Sequence, residues 1–369
     1  MSLDLLKYQT DSLYLIVWIL YNIWIFITFG LSVLRISLKR KDVVCIVCYI
    51  IFVVLSTYSL FASDFLNYKI AVITYKASPN TFDTVSTFSQ FFVFLFSVCD
   101  SYYCFRLSVF VIGYFFVFKI ASLCKNKYLL FLFFANIFLF FMNANVLRAF
   151  LAYSLFFYGF ISSMEKKKYF NFIFVLLSIW IHPTLAMNFL PMLLAFIPFT
   201  KIRTSVCIFV LGVCLSLLSN QIFFIIIDYM NNDNIPLYAL ERYIDEEYPW
   251  GDITYFVSMV KKMIMLVISL MIIVYALRKR NTCDNVNFFL VKYLYFVVIM
   301  TMCLSAIDIS HYVYERFWQQ NYLIITYLLV NLCAQNKKKI IKETLVFLFF
   351  CYWLLENFYI LKNYMIFTL

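Results

Sequence analysis

Glycine and proline are scarce in this chain, five and six residues in 369. Both residues interrupt helices and build tight turns. A chain so poor in them leaves little for loops, so most of it must lie in apolar segments. Charge is scarce too, 13% of residues, against roughly a quarter in soluble domains. Histidine occurs twice, as His182 and His311. No GxxxxGK[ST] loop, GxGxxG turn, GxSxG elbow or HExxH helix occurs, which disfavours ATP hydrolysis, dinucleotide binding and serine-hydrolase chemistry. Two histidines far apart, without Cys/His ligand spacing, point to no metal site. No cofactor is expected.

What remains is apolar. Hydrophobic residues make up 65% of the chain and mean hydropathy is +0.89. The apolar runs are continuous over about 15 to 23 residues and do not alternate, so they predict membrane-spanning helices rather than barrel strands. The expected class is an all-α polytopic membrane protein, residues 1–369 as a single integral-membrane domain. The eleven cysteines lie mostly inside these runs, among them Cys45, Cys48, Cys207, Cys214, Cys303 and Cys351, and read as small hydrophobes. The net charge of +11 would suggest nucleic acid in a soluble protein. Here it follows from basic loops on the cytoplasmic side, and no nucleic-acid partner is expected.

The basic clusters set the sidedness. Arg35–Lys41, Lys125–Lys127, Lys166–Lys168, Lys201–Arg203, Arg278–Arg280 and Lys337–Lys342 fall on alternate loops and place those loops inside. Runs near 12–34, 43–62, 107–123, 128–142, 146–163, 169–186, 188–199, 204–227, 255–277, 288–307, 317–334 and 344–361 give about twelve spans, with both termini outside. Residues 63–106 form a polar outer segment that includes a short apolar stretch, Phe88–Val98. That stretch is too short to span and reads as an interfacial or re-entrant helix. Residues 228–254 form a large acidic outer loop.

Polar groups at membrane depth are costly and by default functional. Arg148 and His182 stand out, at the edge of or inside long apolar runs within Asn143–Asn188. Arg106, Arg148, Arg242 and Arg316 lie on the outer side, against the topological bias. The planar guanidinium fork matches phosphate oxygens, so this set suggests an anionic head group at the outer leaflet. The alternatives are snorkelling to lipid phosphates or pairing with acidic loops. A neutral imidazole can take a proton from a hydroxyl near pH 7. The alternative for His182 is a bond to backbone released by Pro183, and for His311 a solvated loop position. Acids and tyrosines of the outer segments, such as Asp64, Tyr68, Tyr243, Asp245 and Tyr312, suit sugar hydroxyls and C–H faces. They also suit an interfacial aromatic belt.

These residues resemble a known family. Ser63-Asp64-Phe-Leu-Asn67-Tyr68 resembles the outer Asp-x-x-x-Tyr motif of the EpsG-like, or Wzy-type, polysaccharide polymerases. Asn145-Val-Leu-Arg148 resembles their arginine-bearing helix start. Ser178-Ile-Trp-Ile-His182-Pro-Thr184 resembles the helix ending in histidine, 34 residues after that arginine. Glu315-Arg316-Phe resembles their second arginine position. The resemblance covers roughly residues 60–320, with Ala149 where the family often has Gln, and Pro183 after the histidine. It implies a metal-independent glycosyltransferase, similar to GT-C-like membrane enzymes, that polymerises O-antigen or capsule repeat units. Its substrate would be an undecaprenyl-diphosphate-linked oligosaccharide at the outer face of the bacterial inner (cytoplasmic) membrane. The lipid bilayer and a chain-length regulator are further candidate partners.

Within that expectation Arg148 and Arg316 stabilise the departing diphosphate and His182 is the base. Asp64 and Glu315 are the reserve catalytic candidates, either as base or in binding sugar hydroxyls. Tyr68, Arg106, Arg242 and His311 bind substrate. The rivals are a flippase for the same lipid-linked glycan and a membrane O-acyltransferase. A carrier should show polar groups near the middle of several spans and two related halves. An acyltransferase would usually draw its donor from the cytoplasm, opposite the expected side of His182.

Overall fold

The computed structural model describes residues 11–33, 41–58, 65–77, 90–124, 147–166, 168–197, 207–214, 217–218, 253–280, 283–306, 317–318, 320–335 and 339–360. Every regular element among them is helical. Among the described residues four helices are long and apolar enough to cross a membrane: Tyr102–Leu123, Leu147–Glu165, Met259–Arg278 and Asn285–Leu304. Shorter apolar helices accompany them, including Ile16–Thr28, Ile46–Tyr58 and Tyr322–Leu332. The architecture is that of a helical membrane protein, in which each backbone hydrogen bond closes inside its own segment. The expected span at 128–142, most of 204–227 and the acidic loop as far as residue 252 lie outside the described residues.

The chain divides into two compact units. The first comprises Met1–Ala186 and Asn336–Leu369. Its helices are α1 (Asp11–Val33), α2 (Lys41–Tyr58), α3 (Phe65–Ala77), α4 (Gln90–Val98), α5 (Tyr102–Leu123), α6 (Leu147–Lys166) and α7 (Ile173–Ile181). α6 is its centre, buried along most of its length between α5 and α7. α2 covers another face of α5, α1 packs on α2, and α3 and α4 pack on each other and on α5. Two glycines let the central helices close up. The ring of Phe150 on α6 lies where a Cβ at Gly113 of α5 would stand. A Cβ at Gly159 of α6 would meet main-chain atoms, Asn171 O at 2.9 Å and Val175 N at 3.0 Å.

α5 starts at Ser101, whose hydroxyl accepts the Cys104 N–H at 3.2 Å in an N-cap. The short apolar stretch read at Phe88–Val98 carries the helix α4, nine residues long. The segment before it, read as a polar connection, carries the helix α3. Among its described side chains Tyr68, Ala71 and Val72 are buried, at helical spacing, while Lys69 and Lys76 gave the stretch its polar look.

The second unit is Met187–Gln335. It contains α8 (Phe189–Leu194), α9 (Ile253–Arg278), α10 (Asn285–Ala306) and α11 (Tyr322–Gln335). α10 is central, packed by α8, α9 and α11. It begins at Asp284, whose carboxylate accepts the Asn287 N–H at 2.8 Å and its side-chain amide at 2.9 Å. In the first unit again, α12 (Lys339–Ile360) packs on α1. There the Trp353 Nε1–H donates to Asn22 at 3.1 Å.

Candidate functional site

The stretch carrying Arg148 and His182 folds as an antiparallel hairpin of α6 and α7. A 3₁₀ turn, Tyr169–Phe172, leads into α7. α7 has nine residues, then stops at His182, whose φ of −142° and ψ of 95° are extended. The cause is the next residue: a proline pushes the one before it out of the helical region. A second 3₁₀ stretch, Pro183–Asn188, follows. The span expected at 169–186 is therefore a short helix broken at the histidine. At about 1.5 Å per residue nine residues reach about 13 Å, less than half a hydrocarbon core. Broken helices at membrane depth occur where protein or a cavity surrounds the exposed backbone.

His182 is 8% exposed. Its Nδ1 lies 2.6 Å from the Thr184 hydroxyl, and its ring packs beside Tyr153 of α6 with centroids 6.3 Å apart. With Nδ1–H donating to Thr184, the tautomer that results presents Nε2 as the basic nitrogen. Thr184 stands inside the sequence motif, yet only the folded turn shows that it touches the imidazole.

Arg148 is in the first turn of α6 and half-buried. Because the hairpin is antiparallel and Tyr153 touches His182, the arginine and the histidine lie at the same end of it. Arg148 sits about 7.5 Å along the axis from Tyr153 and about 140° around it. A helix N-terminus carries partial positive charge and disfavours a cation. The first turn of α6 holds no acidic residue to offset this. The positive end of α6 and the Arg148 guanidinium are both features that suit an anion such as a phosphate.

The structure places two other candidates in the core of the first unit. Arg106 on α5 is 0% exposed. Its Nη2 donates to the Ser56 carbonyl at 2.7 Å and its Nη1 to the Tyr102 hydroxyl at 3.3 Å. The rings of Tyr102 and Phe110 lie 5.7 and 5.4 Å from Cζ. Ser56 is in the last turn of α2, where carbonyls lack helical partners and carry partial negative charge. Arg106 thus caps α2 from α5. Beside it, the Ser56 and Tyr114 hydroxyls are 2.7 Å apart. Tyr68 is 4% exposed and packs between Phe92 and Phe105, each 6.1 Å away. Asp64, Arg242, His311, Glu315 and Arg316 lie outside the described residues.

The second unit holds polar groups that the sequence reading did not single out. Lys262, inside the apolar helix α9, is 6% exposed. Asn188, Tyr293, Gln320 and Asn321 are all buried and hydrogen-bonded to one another. Among the described residues no group of three or more His, Cys, Asp or Glu comes together as metal ligands would.

The sequence profile of the EpsG family matches residues 41–367. The chain matches no curated protein sequence and no solved structure.

Proposed function

The chain belongs to the EpsG family of Wzy-like polysaccharide polymerases and glycosyltransferases, and from that premise we propose that it polymerises lipid-linked oligosaccharide repeat units. The donor is the growing glycan on undecaprenyl diphosphate, and the acceptor is a sugar hydroxyl of an incoming lipid-linked unit. The site is at the outer face of the bacterial inner membrane, on a GT-C-like scaffold of about twelve spans. O-antigen and capsule units are the substrate classes.

The acceptor oxygen bonds to the donor's anomeric carbon as the bond from that carbon to the diphosphate oxygen breaks. The acceptor proton passes to Nε2 of His182, held in the right tautomer by Thr184. The carbonyls ending α7 carry partial negative charge, favourable to the imidazolium that forms there. The diphosphate gains charge as it departs. Arg148, the positive end of α6 and Arg316 stabilise it more in the transition state than before. Asp64 and Glu315 are reserve bases. Arg242, His311 and the acidic loop hold the glycans. Arg106 and Tyr68, buried as they are, act through the packing of α2 to α5. The observation that carries the reading is Arg148 at the positive end of α6, on the same end of one hairpin as His182.

The test is complementation of a polymerase-deleted host, with the surface glycan resolved on a gel. Arg148→Ala or His182→Ala should leave single repeat units and no ladder, at unchanged protein level. Arg148→Lys should restore little, since an ammonium lacks the fork. Normal ladders from these variants overturn the site. Repeat units trapped on the cytoplasmic side of the deletion strain would point to a flippase instead.

A further inference from the structure

Two cysteines meet across the turn that joins α4 to α5. α4 ends at Val98 and α5 begins at Tyr102, with Cys99 just past the first end and Cys104 just inside the second. Cys99 is 2% exposed, whereas Cys104, in the first turn of α5, is exposed. Cys99 Sγ lies 3.6 Å from Ser108 Oγ, and the same hydroxyl donates to the Cys104 carbonyl at 3.0 Å. Cys104 and Ser108 are four residues apart and so share a face of α5. The Cys99 side chain therefore lies against the face that carries Cys104, and the two thiols hydrogen-bond to each other.

The turn between them is held in place. The Cys99 N–H bonds to Leu95 O at 3.0 Å, the Ser101 hydroxyl accepts the Cys104 N–H at 3.2 Å, and Lys76 of α3 pairs with Asp100 at 3.7 Å. Position in the chain supplies the chemistry. α5 leads to the lysines at 125 and 127, which the alternation of basic loops puts on the cytoplasmic side, so its first turn is at the outer end. Outside the cytoplasm disulfides form and persist.

We infer that Cys99 and Cys104 are joined by a disulfide in the membrane-inserted protein, formed by exchange with a protein disulfide of the outer compartment. This rests on the outer placement of residues 63–106, which the proposed site shares, and not on the glycosyl transfer itself. The thiolate of the exposed Cys104 attacks the oxidant's disulfide, and a mixed disulfide forms as one oxidant sulfur leaves as thiolate. The Cys99 thiol gives its proton to water, and its thiolate attacks the Cys104 sulfur and releases the oxidant's second thiolate. Two thiols become one disulfide, and the two electrons pass to the oxidant, whose disulfide becomes a dithiol. The environments fit this order. Burial pushes the Cys99 thiol above its ordinary range, the Ser108 hydroxyl pulls it back, and the Cys104 thiol raises it again. The buried thiol thus acts second, on a sulfur already beside it. The finished bond ties the end of α4 to the turn of α5 whose Tyr102 hydroxyl meets Arg106.

The experiment uses the full-length chain, from cells lysed into acid and then alkylated with excess maleimide so that thiols are trapped as they stood. Trypsin cutting at Lys76 and Arg106 releases residues 77–106, whose only cysteines are Cys99 and Cys104. The expected peptide is two hydrogens lighter than the dithiol and carries no maleimide; reduction before alkylation should load both sulfurs. In Cys104→Ser the Cys99 thiol should be trapped by maleimide. A wild-type peptide that carries maleimide on both cysteines without reduction overturns the inference. So does a Cys99 that escapes maleimide in Cys104→Ser, because it would then pair elsewhere. A reporter fused after Asp100 separates the two ways of failing. A reduced pair with the reporter outside refutes the pairing and leaves the polymerase reading intact. A reduced pair with the reporter in the cytoplasm refutes the outer placement on which both rest.

Discussion

Thr184 gives the imidazole of His182 its orientation, and its hydroxyl is the part that matters. At 2.6 Å from Nδ1 it can accept the Nδ1–H, the arrangement that leaves Nε2 basic. Thr184→Ala should lower turnover by about tenfold, part of the 10²–10⁴ that a well-placed base contributes. Thr184→Ser should stay near wild type, and Thr184→Val, nearly isosteric, should behave like Ala. Ladder length at matched protein level, or turnover on extracted lipid-linked units, reads all three. A Val variant as active as Ser would remove the hydroxyl from the mechanism. Arg106 shows the other fate of an arginine placed at membrane depth. Its contacts include the Ser56 carbonyl and the Tyr102 and Phe110 side chains of its own α5 helix, a packing task that charge and sidedness did not reveal.

At the scale of elements, the α6–α7 hairpin depends on Gly159. The atoms a Cβ would meet there include Asn171 O and Val175 N, main chain that cannot swing aside as a side-chain end can. Gly159→Ala should therefore push the two helices apart and cost about 1–3 kcal/mol. The expected signs are a lower melting temperature in nanodiscs and less protein in the membrane. Ladders should shorten in proportion to the protein lost. Wild-type melting would mean the hairpin relaxes at no cost. The hairpin's ends were partly legible beforehand. The lysines at 166–168 predict a connection, whereas the run read at 169–186 passes the break that Pro183 imposes at His182. The shortness of α7 was not legible, because 3₁₀ turns on both sides continue the same apolar composition.

For the whole molecule, apolar run length carried most of what could be foreseen. Runs read at 12–34, 255–277 and 288–307 became Asp11–Val33, Ile253–Arg278 and Asn285–Ala306. In a bilayer a single quantity, continuous apolar length, governs where a helix starts and stops. The polar interior followed no such rule. Asn188, Tyr293 and Asn321 meet from positions 105 and 133 residues apart, and no periodicity marks such a meeting. α3 was missed for a related reason: Lys69 and Lys76 interrupt its apolar pattern, and it lies in a stretch flanked by polar residues. The alternation of basic loops makes a prediction at this scale. Reporter fusions after Lys168 and after Arg280 should both read cytoplasmic, and a fusion at Asp245 should read outside. A non-cytoplasmic reading after Lys168 would turn the end of the hairpin that carries Arg148 and His182 inward and overturn the outer placement of the site, and one after Arg280 would break the alternation.

The brevity of α7 also bears on how the protein is made. A nine-residue helix carries too little apolar length to be released into lipid alone during synthesis. Its route into the bilayer is as the second arm of a hairpin whose first arm, α6, is already there. The seam at Gly159 is then a requirement of biogenesis before it is one of stability. A bulkier residue at that seam should leave nascent chains to quality-control proteolysis, so pulse-labelled Gly159 variants should disappear within the first minutes of their life rather than decay slowly as finished enzyme.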